Sequence, residues 1–414
     1  MMIFKPGHTE AFVWFWLPGA MGPVVCGKVV ANDSTPASVH RFVYGRSYRD
    51  SEDAIALSPH DLPVTAEEQT TRRGLHGIFR DATPDAWGRR VLMYKLQMSA
   101  AKAEAELTEI DLLLAGGQGV GALHFQTTAE TYQPKQKHIA SLEDLLIAAE
   151  AVETNTPLPP ELEVALLHGT SIGGARPKAL LQREDGQLTI AKFSSSTDTS
   201  PIVRLEALAM SLAQQAGIDA VRNQLLSVMN KDVLLVDRFD SDDGSSRRHF
   251  FSALTALGLD EMEGRYASYP DLAEYLRRYA DEPVEQCRTL YRRMIFNMLI
   301  GNTDDHAKNH AMFWDGQFVR LTPAYDICIM PRVGLTASQA MVVGERGNQA
   351  TLANALTSCR RFGLDQNEAR QIVVEIETAI RDHWQDSCEQ VELPQRLAES
   401  LWQRAVLSPA IFEN

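Results

Sequence analysis

The sequence predicts an α+β fold in two lobes, strand-rich in its first part and mostly helical in its second. Two patterns carry this prediction. Up to about residue 125, short apolar runs are set off by Gly, Pro, Asn and Asp, the signature of strands and turns. Beyond residue 250, apolar residues recur at helical intervals over long stretches. The polar loops lie where the two patterns meet.

In the first part, Ala11–Leu17, Val24–Val30, Val39–Tyr44 and Ala122–Thr127 read as strands. One helix interrupts them, Pro84–Gln97, with Asp81 or Thr83 as its N-cap and Pro84 in its first turn. The glycines Gly116–Gly121 lead into a strand and read as a turn. Residues 1–127 form a β-rich subdomain, and 128–164 a linker whose polar start, Thr128–His138, precedes a helix at Ser141–Val152 with a capping-box start and a break at Asn155–Pro160. Residues 165–240 hold a hairpin, Lys178–Arg183 with Leu188–Phe193 around Glu184-Asp185-Gly186-Gln187. A helix, Ile202–Ala216, and a strand pair, Leu225–Met229 with Val233–Asp237, follow. Residues 241–414 form the helical lobe, with Pro270–Ala280, Val284–Ile300, Gln366–His383 and Pro394–Val406.

Composition bounds the function. With 414 residues, 44% of them apolar, the chain can bury two or three cores. Its net charge of −14 and lack of any Lys/Arg-rich run argue against direct DNA binding. The cysteines, Cys26, Cys287, Cys328, Cys359 and Cys388, are odd in number and far apart, which fits a reducing compartment better than a zinc ribbon or disulfide framework. The apolar stretch from Ala11 to Val30 is broken by Pro18, Gly19, Gly22 and Pro23, so no membrane span is expected and a cytoplasmic location is.

Gly301-Asn302-Thr303-Asp304-Asp305-His306-Ala307-Lys308-Asn309 carries the clearest chemistry. It follows the helix Val284–Ile300, with Gly301 at the expected C-terminal cap. A hairpin follows it, Ala311–Trp314 and Gln317–Leu321 around Asp315-Gly316, and then Tyr325-Asp326. A phosphotransferase needs a carboxylate to orient the attacking hydroxyl and oxygen ligands for Mg²⁺ on the ATP phosphates. Asp304 and Asn309 have the Asp-to-Asn interval of kinase catalytic loops, and Asp326 sits where a second metal carboxylate would return. His306 and His310, four apart, also suggest zinc, but the Glu of H-E-x-x-H is missing.

His168-Gly169-Thr170-Ser171-Ile172-Gly173-Gly174-Ala175-Arg176-Pro177-Lys178, just before a strand, can bring backbone N–H groups to phosphates, although it is not a Walker A loop. Lys192 near the end of the next strand and Glu206 on the following helix could form the phosphate-holding ion pair of kinases.

Taken in order, these blocks resemble the HipA family of bacterial serine/threonine kinase toxins. Phe79-Arg80-Asp81-Ala82-Thr83-Pro84-Asp85 and Gly119-Val120-Gly121 extend the resemblance to the amino-terminal part, and Asp237-Arg238-Phe239-Asp240 to the kinase core. The resemblance implies a protein-kinase-like fold with an extra amino-terminal subdomain, using ATP and Mg²⁺. Asp304 would be catalytic, and Asn309 and Asp326 would hold the metal. Ser171, Ile172, Gly173, Gly174, Ala175, Arg176, Pro177 and Lys178 would cover the phosphates that Lys192 contacts. Asp237, Arg238 and Phe239 would form the adenine hinge, with His306, Ala307, Lys308 and Tyr325 lining the nucleotide site. Ser171 matches a serine that some members autophosphorylate, although Arg176-Pro177 departs from the best-known loops. The family's substrates are aminoacyl-tRNA synthetases, whose phosphorylation arrests growth. Its partner is a small helix-turn-helix antitoxin, HipB-like, through which DNA is reached indirectly. Two alternatives are a small-molecule kinase of the aminoglycoside-phosphotransferase type and a family member that binds without catalysis.

Overall fold

The computed structural model describes residues 6–32, 39–71, 74–116, 119–134, 140–167, 170, 173–183, 186–241 and 246–413. Parts of the expected glycine turn (Gly117, Gln118), the linker (135–139), the hairpin turn (Glu184, Asp185) and the phosphate loop (His168, Gly169, Ser171, Ile172) lie outside those residues. The chain divides into two compact units. The first comprises residues 1–195, 228–250 and 314–317; the second comprises 196–227, 251–313 and 318–414.

In the first unit, strands β1 (Glu10–Phe15), β2 (Val24–Ala31), β3 (His40–Tyr44), β4 (Gln69–Thr70) and β5 (Leu123–Gln126) form a sheet in the order β4-β3-β2-β1-β5. Its resolved pairs are antiparallel, with Val13 opposite Phe125 and Val29 opposite Phe42. Val13, Phe15, Val29 and Phe42 are fully buried. Phe79 joins them, its ring 5.1 Å from Phe42 and 5.8 Å from Phe125. Each such ring contributes about 2–3 kcal/mol by leaving water.

The sequence missed most of the helix in this region. Besides Ala86–Leu96, helices occupy Arg46–Arg49, Gly77–Arg80, Ala100–Glu106 and Glu109–Ala115. The last is closed by a capping box between Thr108 and Asp111. Leu92, Ala103, Leu107 and Leu112 pack together as a small core that stabilises these short segments. The N-cap of the expected helix is Asp85, not Asp81 or Thr83, which instead end the preceding turn. The capping box at Ser141 and Asp144 is present, opening Leu142–Thr154, and a further helix runs from Pro160 to Leu167. Lys178–Gln182 and Leu188–Phe193 form the expected antiparallel pair, and Lys231–Asp237 adds to the second strand with Lys192 opposite Leu234.

The second unit is mainly helical: Ile202–Gln215, Tyr269–Tyr279, Pro283–Ile300, Leu352–Ser358, Gln366–Gln390 and Gln395–Leu401. The helix expected to stop at His383 continues because Trp384, Ser387 and Cys388 extend its buried face. The one expected to reach Val406 ends at Leu401, since the chain turns there and Leu407 donates its N–H to Leu299 at 2.8 Å. The hairpin Ala311–Trp314 and Val319–Leu321 gains a third strand, Phe250–Ser252. All five cysteines are free thiols. Among the described residues, no helix is long and apolar enough to cross a membrane.

One buried histidine of the first unit makes stability pH-dependent. His249 shares a hydrogen bond of 2.8 Å between its Nε2 and the Leu57 carbonyl oxygen and lies edge-on to Phe15. Burial pushes its pKa down to about 4. The folded chain therefore resists a proton that the unfolded chain accepts near pH 6.5. Stability is complete above that value and is lost as pH falls towards 4, by about 2 kcal/mol between pH 6.5 and 5. Urea unfolding of wild type and His249→Gln at pH 7.5 and 5 should show a shallower pH dependence in the variant. Equal dependence would contradict this role.

Candidate functional site

The helix Pro283–Ile300 organises the candidate residues of the second unit. Gly301 closes it in a left-handed conformation, φ 76°, with its N–H on Met298. A Cβ there would lie 2.5 Å from the Ala405 carbonyl oxygen, so only glycine permits the turn. The chain then enters the loop Asn302–Asn309. Asn302 donates to the Asn297 side-chain oxygen at 3.1 Å, and its own carbonyl accepts from Gln339 at 3.0 Å.

The two adjacent aspartates have opposite environments. Asp304 is exposed. Asp305 is 2% exposed. Its Oδ2 accepts from the Tyr269 hydroxyl and from Asn297 Nδ2 at 2.7 Å, and lies 3.1 Å from His310 Nε2. Burial, with the neighbouring Asp305 carboxylate, pushes the Tyr269 hydroxyl well above its ordinary pKa, so it stays protonated and donates. This commitment of His310 to Asp305 disfavours the zinc alternative.

Asn309 is buried, and its amide nitrogen donates to the Asp304 backbone oxygen at 3.3 Å. Its amide oxygen accepts no hydrogen bond from the described residues. Tyr325 donates its hydroxyl to the Lys308 carbonyl at 2.7 Å, tying the segment after the hairpin to the loop. Asp326 follows, exposed and in a left-handed conformation at φ 58°. Such strain at a non-glycine residue costs of order 1–3 kcal/mol and tends to mark functional positions. Ala307 is buried, while His306 and Lys308 are half-buried. Asn309 and Asp326 offer hard oxygen atoms suited to Mg²⁺, which takes one or two protein ligands and completes its shell from phosphates and water. Among the described residues, no three His, Cys, Asp or Glu side chains converge as a metal cluster.

Sequence reasoning missed the supports. Gln286, Arg293 and Asn297 lie on one stripe of the helix, at spacings of seven and four, all buried. Gln286 Oε1 accepts from the Leu321 N–H at 2.8 Å, and Arg293 Nη2 donates to Thr322 at 2.6 Å. Burial lowers the Arg293 pKa to about 10, still high enough to keep it charged. One helix thus fixes both the loop and the strand leading to Asp326. The signal in the sequence was polar residues interrupting an apolar face.

The first unit holds the remaining candidates. Gly173, Gly174, Ala175, Arg176 and Pro177 lead into the strand that Lys178 opens. Gly174 adopts φ 108°. Lys178 is buried, and its ammonium donates to the Gly173 carbonyl, closing the loop on itself. Ser171 and Ile172 lie outside the described residues. Lys192 is half-buried in the strand Leu188–Phe193, and Glu206 is buried on the helix Ile202–Gln215 of the other unit.

In the segment expected as the hinge, Asp237 pairs with Arg183 at 2.9 Å. Phe239 packs edge-on to Phe250. Arg238 is buried, and its guanidinium grips Asp240 through two donors, with a third contact to the Gly119 carbonyl at 3.2 Å. Burial alone would raise the Asp240 pKa; Arg238, Arg247 and the Gly121 N–H hold it below the ordinary carboxylate value. The Arg238 backbone N–H donates to Leu188 at 2.9 Å, and its carbonyl accepts from Gln187 at 3.1 Å. What Arg238 provides is therefore rigidity of this segment.

The contrast between the aspartates is testable by stability alone. Asp305→Asn removes a buried charged acceptor and should lower unfolding free energy by about 2–3 kcal/mol. Asp304→Asn, exposed, should stay within about 0.5 kcal/mol of wild type. Calorimetric melting showing the reverse order would overturn the assignment of Asp305 as the anchor.

Comparison with known proteins places this geometry. The HipA-like C-terminal domain model matches residues 170–384, just over half of the chain, and the HipA N-terminal domain model matches residues 24–126. Y4mE of Sinorhizobium fredii, a protein carrying a kinase name, is 30% identical over 330 residues, covering 74% of this chain and 76% of that protein. The serine/threonine-protein kinase toxin HipA of Shewanella oneidensis is 24% identical over 185 residues, 38% of this chain and 42% of that protein. The solved Shewanella oneidensis MR-1 toxin–antitoxin complex of HipA, HipB and operator DNA contains a chain of the same fold. Its TM-score is 0.70 at 19% identity, with 95% of both chains covered. With both domain models matched in order and a relative aligned over most of its length, the chain belongs to the HipA family.

Proposed function

We propose that this protein is an ATP- and Mg²⁺-dependent serine/threonine protein kinase, acting as the toxin of a two-component module. The observation that carries the reading is the split between the two aspartates. Asp305 is buried and spends its Oδ2 in the protein interior, which leaves the exposed Asp304 as the carboxylate for substrate.

In this reading Asp304 accepts a hydrogen bond from the substrate Ser/Thr hydroxyl and aims its oxygen at the γ-phosphorus. Asn309 and Asp326 hold Mg²⁺, which when bound offsets the charge of the phosphate oxygens. Lys192, oriented by Glu206, and the loop Gly173–Lys178 contact the phosphates, and Asp237–Phe239 reads adenine through its backbone. His306, Ala307, Lys308 and Tyr325 line the nucleotide. Ser171 is the proposed autophosphorylation site, where added charge would repel ATP.

The division into residues 1–127, 128–164, 165–240 and 241–414 is our proposed domain description, with the last two parts forming the kinase core. The proposed partner is a helix-turn-helix antitoxin of the HipB type, with DNA reached only through it. Support comes from the HipA–HipB–DNA complex that shares the fold and from the chain's net charge of −14. The proposed protein substrate is an aminoacyl-tRNA synthetase, glutamyl-tRNA synthetase first, and the proposed setting is the cytoplasm.

Transfer of labelled γ-phosphate from Mg–ATP to Ser/Thr of purified glutamyl-tRNA synthetase and of proteins in a bacterial lysate tests this. Wild type should label protein, and Asp304→Asn should lose about a hundredfold or more. Full activity in Asp304→Asn would sink the mechanism. Transfer to small alcohols but not to protein would replace the protein-kinase reading with a small-molecule one.

A further inference from the structure

The phosphate loop is gripped by a segment 89 residues away in sequence. A glycine loop presents N–H groups to phosphates only when its backbone is held, because glycine retains the most conformational freedom to lose. Here the holding contacts come from Pro84–Gly88. The Gly174 N–H donates to Asp85 Oδ2 at 2.9 Å. The Gly174 carbonyl accepts from the Trp87 N–H at 3.2 Å. The indole of fully buried Trp87 donates to the Lys178 carbonyl at 2.8 Å. Gly88 completes the contact: a Cβ there would lie 2.0 Å from the Thr170 carbonyl oxygen, so no other residue lets the helix approach.

Asp85 stands at the N-cap of the helix Ala86–Leu96, yet its side chain makes no capping bond. The carboxylate forgoes it and turns to the loop instead. Because both backbone groups of Gly174 are engaged in this way, Gly174 is a fixed post of the loop.

We infer that Asp85, Trp87 and Gly88 are positioning residues that set the phosphate loop for nucleotide phosphates. The amino-terminal subdomain is then part of the kinase machinery rather than an appended module. This rests on the kinase reading above.

The test compares Mg–ATP with adenosine, which lacks phosphates, by calorimetric titration of the full chain. In Asp85→Ala, the Kd for Mg–ATP should rise about tenfold while that for adenosine stays within about twofold. Asp85→Asn, whose amide oxygen can still accept from Gly174, should recover most of the affinity, and Trp87→Phe should fall between. Unchanged or tighter ATP binding in Asp85→Ala would overturn the inference, the second by making Asp85 a competitor of phosphate. Equal loss of both ligands would also overturn it, since a general folding defect cannot discriminate them. A wild type that binds neither ligand overturns the kinase reading and this inference with it. A wild type that binds ATP beside variants that match it overturns the inference alone.

Discussion

A carboxylate taken out of water must be met by donors, and in the second unit that requirement shapes everything around Asp305. Its burial would cost several kcal/mol if uncompensated. Tyr269, Asn297 and His310 converge on one of its oxygens from a helix start, a helix end and the residue before a strand. Three separate elements therefore share one anchor. The loop Asn302–Asn309 hangs from it, which is how a short irregular segment acquires a defined shape. Asp304, one residue earlier, is thereby turned outward.

The helix Pro283–Ile300 supplies the rest of the frame through its polar stripe. Buried polar side chains are expensive unless each finds a partner, and here each does so on a different backbone or side-chain group. Gln286 and Arg293 hold the strand that leads to Asp326, and Asn297 holds the loop. A candidate base and two candidate metal ligands are thus referred to one rigid element. Arg293 adds a charge that remains protonated despite burial, so its bond to Thr322 is charge-assisted.

In the first unit the same logic applies to a loop made of glycine. The loop has little side-chain surface with which to pack, so its shape depends on hydrogen bonds brought from elsewhere. Trp87 contributes a large buried ring and two donors to that task. The segment proposed as the hinge is stiffened by a buried Arg238–Asp240 pair, and the Gly121 N–H donates to the same Asp240 carboxylate. The fold itself is shared with the Shewanella HipA chain at 19% identity.

Much of this protein was legible without coordinates, because local signals sit next to each other in the chain. The alternation of strands, the cap at Gly301, the capping box at Ser141 and the interval from Asp304 to Asn309 are all short-range patterns. So was the family resemblance, which depends on ordered blocks. The helices Ala100–Glu106 and Glu109–Ala115 went unread although Ser99 and the Thr108–Asp111 capping box open them, since each is only seven residues long and is completed by packing on Leu92. The choice between Asp304 and Asp305 rested on spacing alone until burial separated them. Likewise, nothing in the sequence links Asp85 to Gly174 or Gln286 to Leu321. Those bonds join residues far apart in the chain, and only the tertiary fold decides which distant donor meets which acceptor.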